Sequence, residues 1–375
     1  MADKPTAAVK EPLFHITKRT DISTWKKILA RAVAIVAAFV LCGLLAMVLI
    51  PSIGENPAKL GRFYKCFIDG SFKTINIVWR VLRDLSVLLC ISLAITPAFK
   101  MKFWNIGAEG QVLVGILAAE GIAFKFGGIF SEPVLLLLML VGAVAAGAIW
   151  GLIPAFFKAI WGTNETLFTL MMNYIATFLV SFCLSLWITN GSQVMPKQSH
   201  GALPAIAGNA NLPVIILTAI LTVLIYVYLN YSKHGYEISV VGESVNTAKY
   251  IGIDVKKVII RTMLLSGALC GFAGFLIGAG INQSVSPTSV GGKGFTAIMV
   301  SWLAKFSPAF MVLTSALVVF LQRGAAEITS IFNVSGSLAD IFVGLTLFFV
   351  IGCEFFLTYE LHFRKSKQEG KENNA

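Results

Sequence analysis

The chain has 375 residues, of which 57% are hydrophobic and only 13% charged, and its mean hydropathy is +0.80. This apolar content exceeds what a single core of a soluble domain can bury. The formal net charge of +11 does not indicate a nucleic-acid-binding protein, because Lys and Arg gather in short segments between apolar runs rather than along one helix face. Strict alternation of apolar and polar residues is also lacking, which argues against an outer-membrane barrel.

Apolar runs of roughly 20 residues recur along the chain, and a helix that rises about 1.5 Å per residue needs that length to cross about 30 Å of hydrocarbon. We therefore predict an all-α, polytopic membrane protein with about ten transmembrane helices, some of them short or broken around a central pathway. The predicted spans are Ile28 to Ile50, Ile75 to Phe99, Asn105 to Phe126, Pro133 to Phe157, Glu165 to Ile188, Leu212 to Tyr231, Val258 to Ile281, Lys293 to Ala304, Pro308 to Gln322 and Ser337 to Thr358.

The eighth and ninth predicted spans are too short for a full crossing. Short or interrupted helices are tolerated where their backbone faces protein or water rather than lipid. They indicate a cavity near the membrane midplane, where transported solutes usually bind.

Basic residues predict the orientation of the chain. An even number of spans places both termini on one side, and the tails at 1–27 and 359–375 are rich in Lys and Arg, so both are predicted to be cytoplasmic. The long loop at about 232–257 falls on the same side and has more basic than acidic residues. Residues 52–84 disagree, since this predicted external segment contains six Lys and Arg residues. The membrane domain is predicted at 28–358.

Polar side chains recur at intervals of three or four along the fifth predicted span, which places them on one helix face. They are Thr166, Thr169, Asn173, Thr177, Ser181 and Ser185. Such groups favour other helices or a wet pathway over acyl chains. Interhelical hydrogen bonding alone and pathway lining both remain open for this polar stripe. Small residues at 143, 147 and 151 and at 267, 271, 274 and 278 indicate close helix packing.

The stretch WNIGAEGQVLVG, from Trp104 to Gly115, places Asn105, Glu109 and Gln111 within an apolar run. A carboxylate in the centre of a lipid-facing helix costs about 2.5 to 3.5 kcal/mol, so Glu109 is expected to be paired or to face a water-filled cavity. If Asn105 caps the helix that follows, Glu109 lies in its first turns, where the positive end of the dipole favours an anion.

The loop at 232–257 is the longest predicted connection between spans on the cytoplasmic side. Glu243 to Tyr250 can form a short helix, with Gly242 before it and Gly252 as its stop. A solvated linker is the alternative, although loops of this length are often functional.

Catalytic and metal-binding motifs are missing from the sequence. It has no G-x-x-x-x-G-K-[ST] phosphate-binding loop, and its four histidines have no neighbouring ligands at metal spacing. We therefore expect a protein that is not an enzyme and has no cofactor and no metal, and whose driving energy comes from elsewhere.

Four blocks occur in order along the chain: FWNIGAEGQVLVGILAA (Phe103 to Ala119), GTNETLFTLMMNYIA (Gly162 to Ala176), GYEISVVGESVNTAKYIGIDV (Gly235 to Val255) with LLSGALCGFAG (Leu264 to Gly274), and GGKGFTAIMVSWLAKFSPAF (Gly291 to Phe310). They resemble the permease subunits of bacterial ABC importers for nucleosides, simple sugars and branched-chain amino acids. The NIGAEGQ block is similar to that of the nucleoside and simple-sugar group.

The resemblance implies a permease of the bacterial cytoplasmic membrane, paired with a second permease subunit that is often a different chain. Its other partners would be an ABC ATPase, frequently with two cassettes in one polypeptide, and an extracytoplasmic substrate-binding lipoprotein. It also implies that the long cytoplasmic loop supplies a coupling helix that docks on the ATPase. The residues assigned to coupling are Gly242, Glu243, Ser244, Asn246, Ala248, Tyr250 and Gly252.

Five residues are candidates for the substrate pathway or for the network that shapes it: Asn105, Glu109, Gln111, Thr169 and Asn173. Glu109 as a purely structural cap is an open alternative. A neutral nucleoside needs hydrogen bonds and an apolar or aromatic surface for its base, which suits the scarcity of charge in the spans. A simple sugar such as ribose or galactose fits nearly as well. An ion-gradient-driven secondary transporter is a second alternative.

Overall fold

Helices form most of the chain, because a backbone in hydrocarbon must satisfy its own hydrogen bonds. A computed structural model describes residues 14–18, 23–188 and 191–363. The helices are α1 (Thr24–Leu49), α2 (Pro51–Gly54), α3 (Leu60–Phe72), α4 (Ile75–Lys100), α5 (Ala108–Phe126), α6 (Glu132–Trp161), α7 (Glu165–Trp187), α8 (Leu212–Tyr231), α9 (Lys233–Glu243), α10 (Val245–Tyr250), α11 (Val255–Ile277), α12 (Lys293–Leu303), α13 (Pro308–Phe332) and α14 (Gly336–Thr358). A 3-10 turn at Pro57–Lys59 precedes α3, and a π-helical turn at Gly278–Asn282 continues α11.

Within the described part of the chain, eight helices are long and apolar enough to cross a membrane: α1, α4, α6, α7, α8, α11 with its π turn, α13 and α14. The predicted all-α polytopic class is therefore confirmed. The other two predicted spans correspond to α5, which has 19 residues and carries Glu109 and Glu120, and α12, which has 11.

The predicted end of the ninth span at Gln322 is wrong, since α13 continues to Phe332. Arg323 and Glu327 interrupt the apolar run but not the helix. Arg323 donates a hydrogen bond to the Asp84 carboxylate of α4, so its charge is paired. Helix α12, by contrast, is as short as predicted, about 16 Å long.

The predicted tails are described only in part, because residues 1–13, 19–22 and 364–375 lie outside the described residues. Within the tails, Phe14–Lys18 and Tyr359–Phe363 form two antiparallel strands, β1 and β2, with Phe14 opposite Phe363. Helix α1 begins at Thr24, four residues before the predicted span.

The chain divides into two compact units, one formed by 1–66 with 325–375 and the other by 67–324. In the first unit α1 packs along α14, where Cys42 Sγ donates a hydrogen bond to the Phe342 carbonyl. Arg31 and Glu354 form an ion pair at 2.5 Å between the same helices.

Helix α11 forms the centre of the second unit, packed against α4, α5 and α6. Glycine permits this closeness: a Cβ at Gly147 would lie 2.7 Å from the Gly271 Cα, and one at Gly115 would lie 2.8 Å from the same atom. The predicted small-residue packing of α6 and α11 is therefore confirmed, and Gly115 brings α5 equally close to α11.

Candidate functional site

A short turn joins α4 to α5 and is held in place by two side chains of α7. Asn173 Oδ1 accepts from the Gly110 backbone N–H at 2.8 Å, and its Nδ2 donates to the Ile106 carbonyl at 2.9 Å. Thr169 Oγ1 accepts from the Ile106 N–H at 3.1 Å. Both side chains are buried, so the first half of the polar stripe faces protein rather than lipid.

The second half of the polar stripe bonds to its own helix. Thr177 Oγ1 donates to the Asn173 carbonyl at 3.0 Å, Ser181 Oγ donates to the Thr177 carbonyl at 3.1 Å, and Ser185 Oγ donates to the Phe182 carbonyl at 2.7 Å. Hydroxyl groups can satisfy themselves in this way without a partner helix. These residues therefore give no geometric indication of a polar path along the whole of α7.

The side-chain amides of Asn105, in the turn, and Gln111, on α5, are buried and bind each other. Asn105 Nδ2 donates to Gln111 Oε1 at 3.3 Å, and Gln111 Nε2 donates to Asn105 Oδ1 at 3.2 Å. Asn105 Nδ2 also donates to Ser266 Oγ of α11 at 3.4 Å. The two amides thus connect α5 to α11. Each satisfies the hydrogen-bonding groups of the other, which would be costly to bury without a partner.

The predicted N-cap role of Asn105 is wrong in its position. The N-cap of α5 is Gly107, and Asn105 Oδ1 accepts from the Gly107 N–H at 3.0 Å. Asn105 therefore makes an Asx-type turn two residues before the N-cap, in the same turn that Thr169 and Asn173 bind. Glu109 lies in the first turn of α5, as expected.

The Glu109 carboxylate binds the N-terminus of another helix. Its Oε1 accepts from the Gly292 N–H at 2.8 Å and its Oε2 from the Gly294 N–H at 2.7 Å, at the start of α12. Gly292 has a φ of 75°, a conformation that favours glycine, and a Cβ at Gly294 would lie 2.5 Å from the Glu109 backbone nitrogen. The expectation that Glu109 is paired is confirmed: it uses the free N–H groups and positive dipole end of α12.

The predicted coupling loop at 232–257 is largely helical and contains two helices, α9 and α10. Helix α9, which the sequence analysis missed, includes Gly242 and Glu243, so their assignment to the short helix or its start is wrong. A Cβ at Gly242 would collide with the Lys100 carbonyl at the end of α4. Gly242 is therefore needed for close packing rather than for a helix start.

Helix α10 is the predicted short helix, six residues long. Ser244 caps it by accepting from the Thr247 N–H at 3.2 Å, and Gly252 follows it with a φ of 84°, as expected for a stop. Ala248 is fully buried, whereas Tyr250 is 92% exposed and Asn246 is also exposed. The helix is thus anchored by one small side chain and presents the rest outward.

Ala248 packs into an apolar cluster at one end of the second unit. The cluster comprises Ala98, Met101, Phe103, Ala155, Ile238, Val241, Ala248, Val258 and Met263. These residues come from the ends of α4, α6 and α11, from the 101–103 segment and from α9 and α10. Ala248 of α10 thus shares one apolar cluster with Met101 and Phe103, which directly precede Asn105 in the chain.

An ion pair fixes α9 to the start of α11. Arg261 Nη2 lies 2.6 Å from Glu237 Oε2, and Asp254 caps α11 by accepting from the Lys257 N–H at 3.2 Å. The hydrogen bond from Arg261 lowers the pKa of Glu237, and the backbone hydrogen bond from Lys257 lowers the pKa of Asp254. Both carboxyls are therefore charged at neutral pH, and the ion pair is formed.

Glu120 is a second carboxyl on α5 and was not among the predicted site residues. It is 1% exposed, and among the described residues no hydrogen-bond partner reaches either oxygen. A Cβ at Gly278, where α11 becomes π-helical, would lie 2.8 Å from its Oε1. The rule that identified Glu109, an ionisable residue in an apolar run, applies equally to Glu120.

Comparison with known proteins gives the family. The model of the family described as "Branched-chain amino acid transport system / permease component" matches residues 77–351, more than half of the chain. The guanosine ABC transporter permease protein NupP of Bacillus subtilis is 30% identical over 89% of this chain and 96% of its own. The nucleoside ABC transporter permease protein NupB of Lactococcus lactis is 28% identical over 81% of this chain and 85% of its own.

A glucose permease is also similar. The glucose ABC transporter permease protein TsgB13 of Haloferax volcanii is 29% identical over 73% of this chain and 76% of its own length. The resemblance drawn from the four sequence blocks is thus confirmed, and all four blocks lie within the matched residues 77–351. The chain belongs to the branched-chain amino acid transport system permease family and is a multi-pass membrane permease, not an enzyme.

Proposed function

We propose that this permease is the transmembrane subunit of an ABC importer for nucleosides and is driven through α10 by a separate ATPase. The observation that carries the proposal is the geometry of α10. Ala248 fixes the helix to the ends of α4, α6 and α11, while Tyr250 and its exposed neighbours remain available to a partner. In this proposal the ATPase supplies the energy, since the sequence contains no nucleotide-binding loop of its own.

The relatives support nucleosides as the cargo. Two of the permeases with extensive similarity are named for guanosine and for nucleosides, and the similarity to NupP covers nearly the whole of both chains. The glucose permease matches a smaller share of this chain. A simple sugar is therefore the second candidate cargo.

The partners follow from the same proposal. A substrate-binding lipoprotein delivers the solute, an ATPase with two cassettes in one chain docks on α10, and a second, different permease chain completes the pathway. We place α10 and both termini in the cytoplasm and the spans in a bacterial cytoplasmic membrane, because the tails and the α9 to α11 region are rich in Lys and Arg.

The five pathway candidates fit best as the network that shapes the path. Asn105, Gln111, Thr169 and Asn173 are buried and hydrogen-bonded, and the Glu109 carboxylate is engaged by two backbone N–H groups. Together they fix the starts of α5 and α12 relative to α7 and α11. In this proposal they transmit movement from the α10 end of the unit rather than bind the solute directly.

Reconstitution tests the cargo. The permease pair, ATPase and loaded binding lipoprotein are placed in vesicles, and ATP-dependent uptake of labelled guanosine, uridine, ribose and galactose is compared. We expect uptake of at least one nucleoside and none of the sugars. Uptake of ribose or galactose without either nucleoside would contradict the nucleoside assignment and favour the sugar alternative.

A further inference from the structure

A pocket opens at the end of the second unit that lies opposite α10. Helix α4 has 26 residues and is about 39 Å long, and near its end Ala98 belongs to the cluster that holds α10. At the other end, the first turns of α4 and the 207–212 segment before α8 line a cavity of about 580 Å³. Binding sites for small molecules have volumes of roughly 300 to 1,000 Å³, so the cavity can hold a nucleoside. We name it the outer pocket.

One wall of the outer pocket is a single face of α4. Asn76, Trp79 and Arg80 line it, and their spacing of three and four residues from Asn76 places them side by side on the helix. Trp79 is partly buried, whereas Arg80 is exposed. Within the described chain, no acidic side chain pairs with Arg80, and no hydrogen bond engages the Asn76 amide or the Trp79 indole. All three side chains are therefore open to a ligand.

The other wall is a turn whose amides are fixed by hydrogen bonds. The turn at 206–209 is closed by a bridge between its first and last residues. Asn209 Oδ1 accepts from the Asn211 backbone N–H at 2.9 Å and from Asn211 Nδ2 at 3.0 Å. Asn211 Oδ1 in turn accepts from Arg83 Nη1 at 3.3 Å, which connects this wall to α4. The two walls are thus joined, and the orientation of both amides is set before any ligand binds.

The groups that remain open in the outer pocket are mainly hydrogen-bond donors. The side-chain carbonyl oxygens of Asn209 and Asn211 are used within the wall, which leaves Asn209 Nδ2 without a protein partner among the described residues. Arg80 supplies a positive charge and several N–H donors, and Trp79 supplies an indole N–H and an aromatic ring. A ligand that fits must offer acceptors together with a π face.

A guanine base meets both requirements. Its O6 and N7 form the acceptor pair that an Arg guanidinium binds with two hydrogen bonds, and its ring stacks on aromatic side chains. Adenine presents an amino donor in place of O6, so the same guanidinium binds it less well. An acidic side chain of a protein partner would suit Arg80 but would make no use of the Trp79 ring. The combination of residues therefore favours a base over a carboxylate.

We propose that the outer pocket is an entry site for 6-oxopurine nucleosides, in which Trp79 stacks on the base and Arg80 selects its O6 and N7 edge. The proposal rests on the nucleoside cargo and the orientation proposed above, which place the end opposite α10 on the side from which solute arrives. It adds a site within the permease and a preference for guanosine and inosine over adenosine.

Equilibrium binding tests the pocket in the absence of the binding lipoprotein. The permease pair with its ATPase is placed in lipid nanodiscs, and binding of tritiated guanosine is measured, with competition by inosine and adenosine. We expect saturable binding in which guanosine and inosine bind more tightly than adenosine. Arg80→Ala should weaken guanosine and inosine binding about tenfold, because one bidentate contact is lost, and should leave adenosine binding unchanged. Retained adenosine binding shows that this variant is folded.

Trp79 is tested by its effect on every base. Because stacking does not depend on the edge of the base, Trp79→Ala should weaken binding of all three nucleosides about tenfold. Trp79→Phe keeps an aromatic ring and should retain most of the binding, which shows that the loss in Trp79→Ala is not misfolding.

Two matched controls come from the same chain. Trp161 is a 63% exposed tryptophan at the end of α6, and Arg62 is an exposed arginine on α3; neither lines the outer pocket. Trp161→Ala and Arg62→Ala should bind guanosine like the wild type. An equal loss of guanosine binding in Trp161→Ala and Trp79→Ala, or in Arg62→Ala and Arg80→Ala, would overturn the proposal.

Three further outcomes would count against the outer pocket. The assignment fails if the complex without lipoprotein shows no saturable guanosine binding, or if Trp79→Ala and Arg80→Ala both bind guanosine like the wild type. If Arg80→Ala weakens docking of the binding lipoprotein and leaves guanosine binding unchanged, the pocket receives an acidic side chain of that partner instead.

Uptake by the complete wild-type transporter separates this proposal from the proposed function. Uptake of ribose or galactose with neither guanosine nor uridine would refute the nucleoside function and the entry site together. Uptake of guanosine combined with a failed binding test would refute the entry site alone. Uptake of guanosine that falls in Arg80→Ala together with guanosine binding supports both.

Discussion

Glu109 illustrates how an ionisable residue is accommodated in an apolar chain. Its two oxygens accept from Gly292 and Gly294, so the charge stabilises the start of α12 instead of being stranded in lipid. The need for a partner follows from the sequence, since a carboxylate in an apolar run demands one. The partner itself does not, because it lies 183 and 185 residues further along the chain.

Replacement of this carboxylate should loosen α12. We expect Glu109→Ala to lower the stability of the purified permease by about 1.5 to 3 kcal/mol, the usual contribution of hydrogen bonds to a charged group, and Glu109→Gln to lower it less. Thermal unfolding in detergent measures the change. Glu55→Ala, which removes an exposed carboxylate, is the control; equal unfolding midpoints for Glu109→Ala and Glu55→Ala would contradict the anchoring role.

Helices α9 and α10 show what could be predicted for single elements. Ser244 and Gly252 are ordinary helix start and stop residues, and they bracket α10 within two residues of the prediction. Helix α9 was not predicted, because a helix was assigned only to Glu243 to Tyr250 within this loop. Its buried residues, Gly235, Ile238, Val241 and Gly242, nevertheless follow a helical period that becomes informative once the cluster around Ala248 is known.

If α10 couples the permease to its ATPase, removal of an exposed side chain of α10 should weaken the coupling without disturbing the fold of the permease. We expect Tyr250→Ala to reduce the stimulation of ATP hydrolysis by loaded binding protein at least several-fold while the permease still inserts and assembles, because Tyr250 contributes exposed surface and no core packing. Tyr231 is the last residue of α8 and is 75% exposed, so Tyr231→Ala is the matched control. Unchanged stimulation in Tyr250→Ala, or an equal loss in Tyr231→Ala, would argue against coupling through α10.

The packing of α11 on α6 and α5 was predictable from small residues at intervals of three and four, although their partners were not. A Cβ at Gly271 would collide with the Ala143 carbonyl, whereas one at Gly344 of α14 meets open space. We therefore expect Gly271→Ala to destabilise the permease by about 1 to 3 kcal/mol through overpacking, and Gly344→Ala to leave stability unchanged or raise it through better helix propensity. Unfolding midpoints that fall equally in both variants would count against the tight α6 to α11 contact.

For the whole molecule, hydropathy places ten spans, of which eight correspond in the described residues to helices long and apolar enough to cross a membrane, while α5 and α12 do not. It fails where charge is neutralised by a distant partner, as at Arg323, whose pairing with Asp84 lets α13 continue ten residues beyond the predicted end. It succeeds at α12, where a short apolar run is a short helix. The family relationship could be predicted from the four sequence blocks. The hydrogen bonds that connect these blocks, such as those of Asn105, Glu109 and Asn173, could be identified only in the structure.

In the proposed mechanism the permease moves solute only with energy from a bound ATPase. The most direct measurement is guanosine accumulation in vesicles that contain the complete transporter, compared with the same transporter whose ATPase nucleotide sites are disabled. We expect accumulation in the first and none in the second, whatever ion gradient is imposed. Accumulation that persists with the disabled ATPase and collapses when the ion gradient is dissipated would contradict it and identify a secondary transporter.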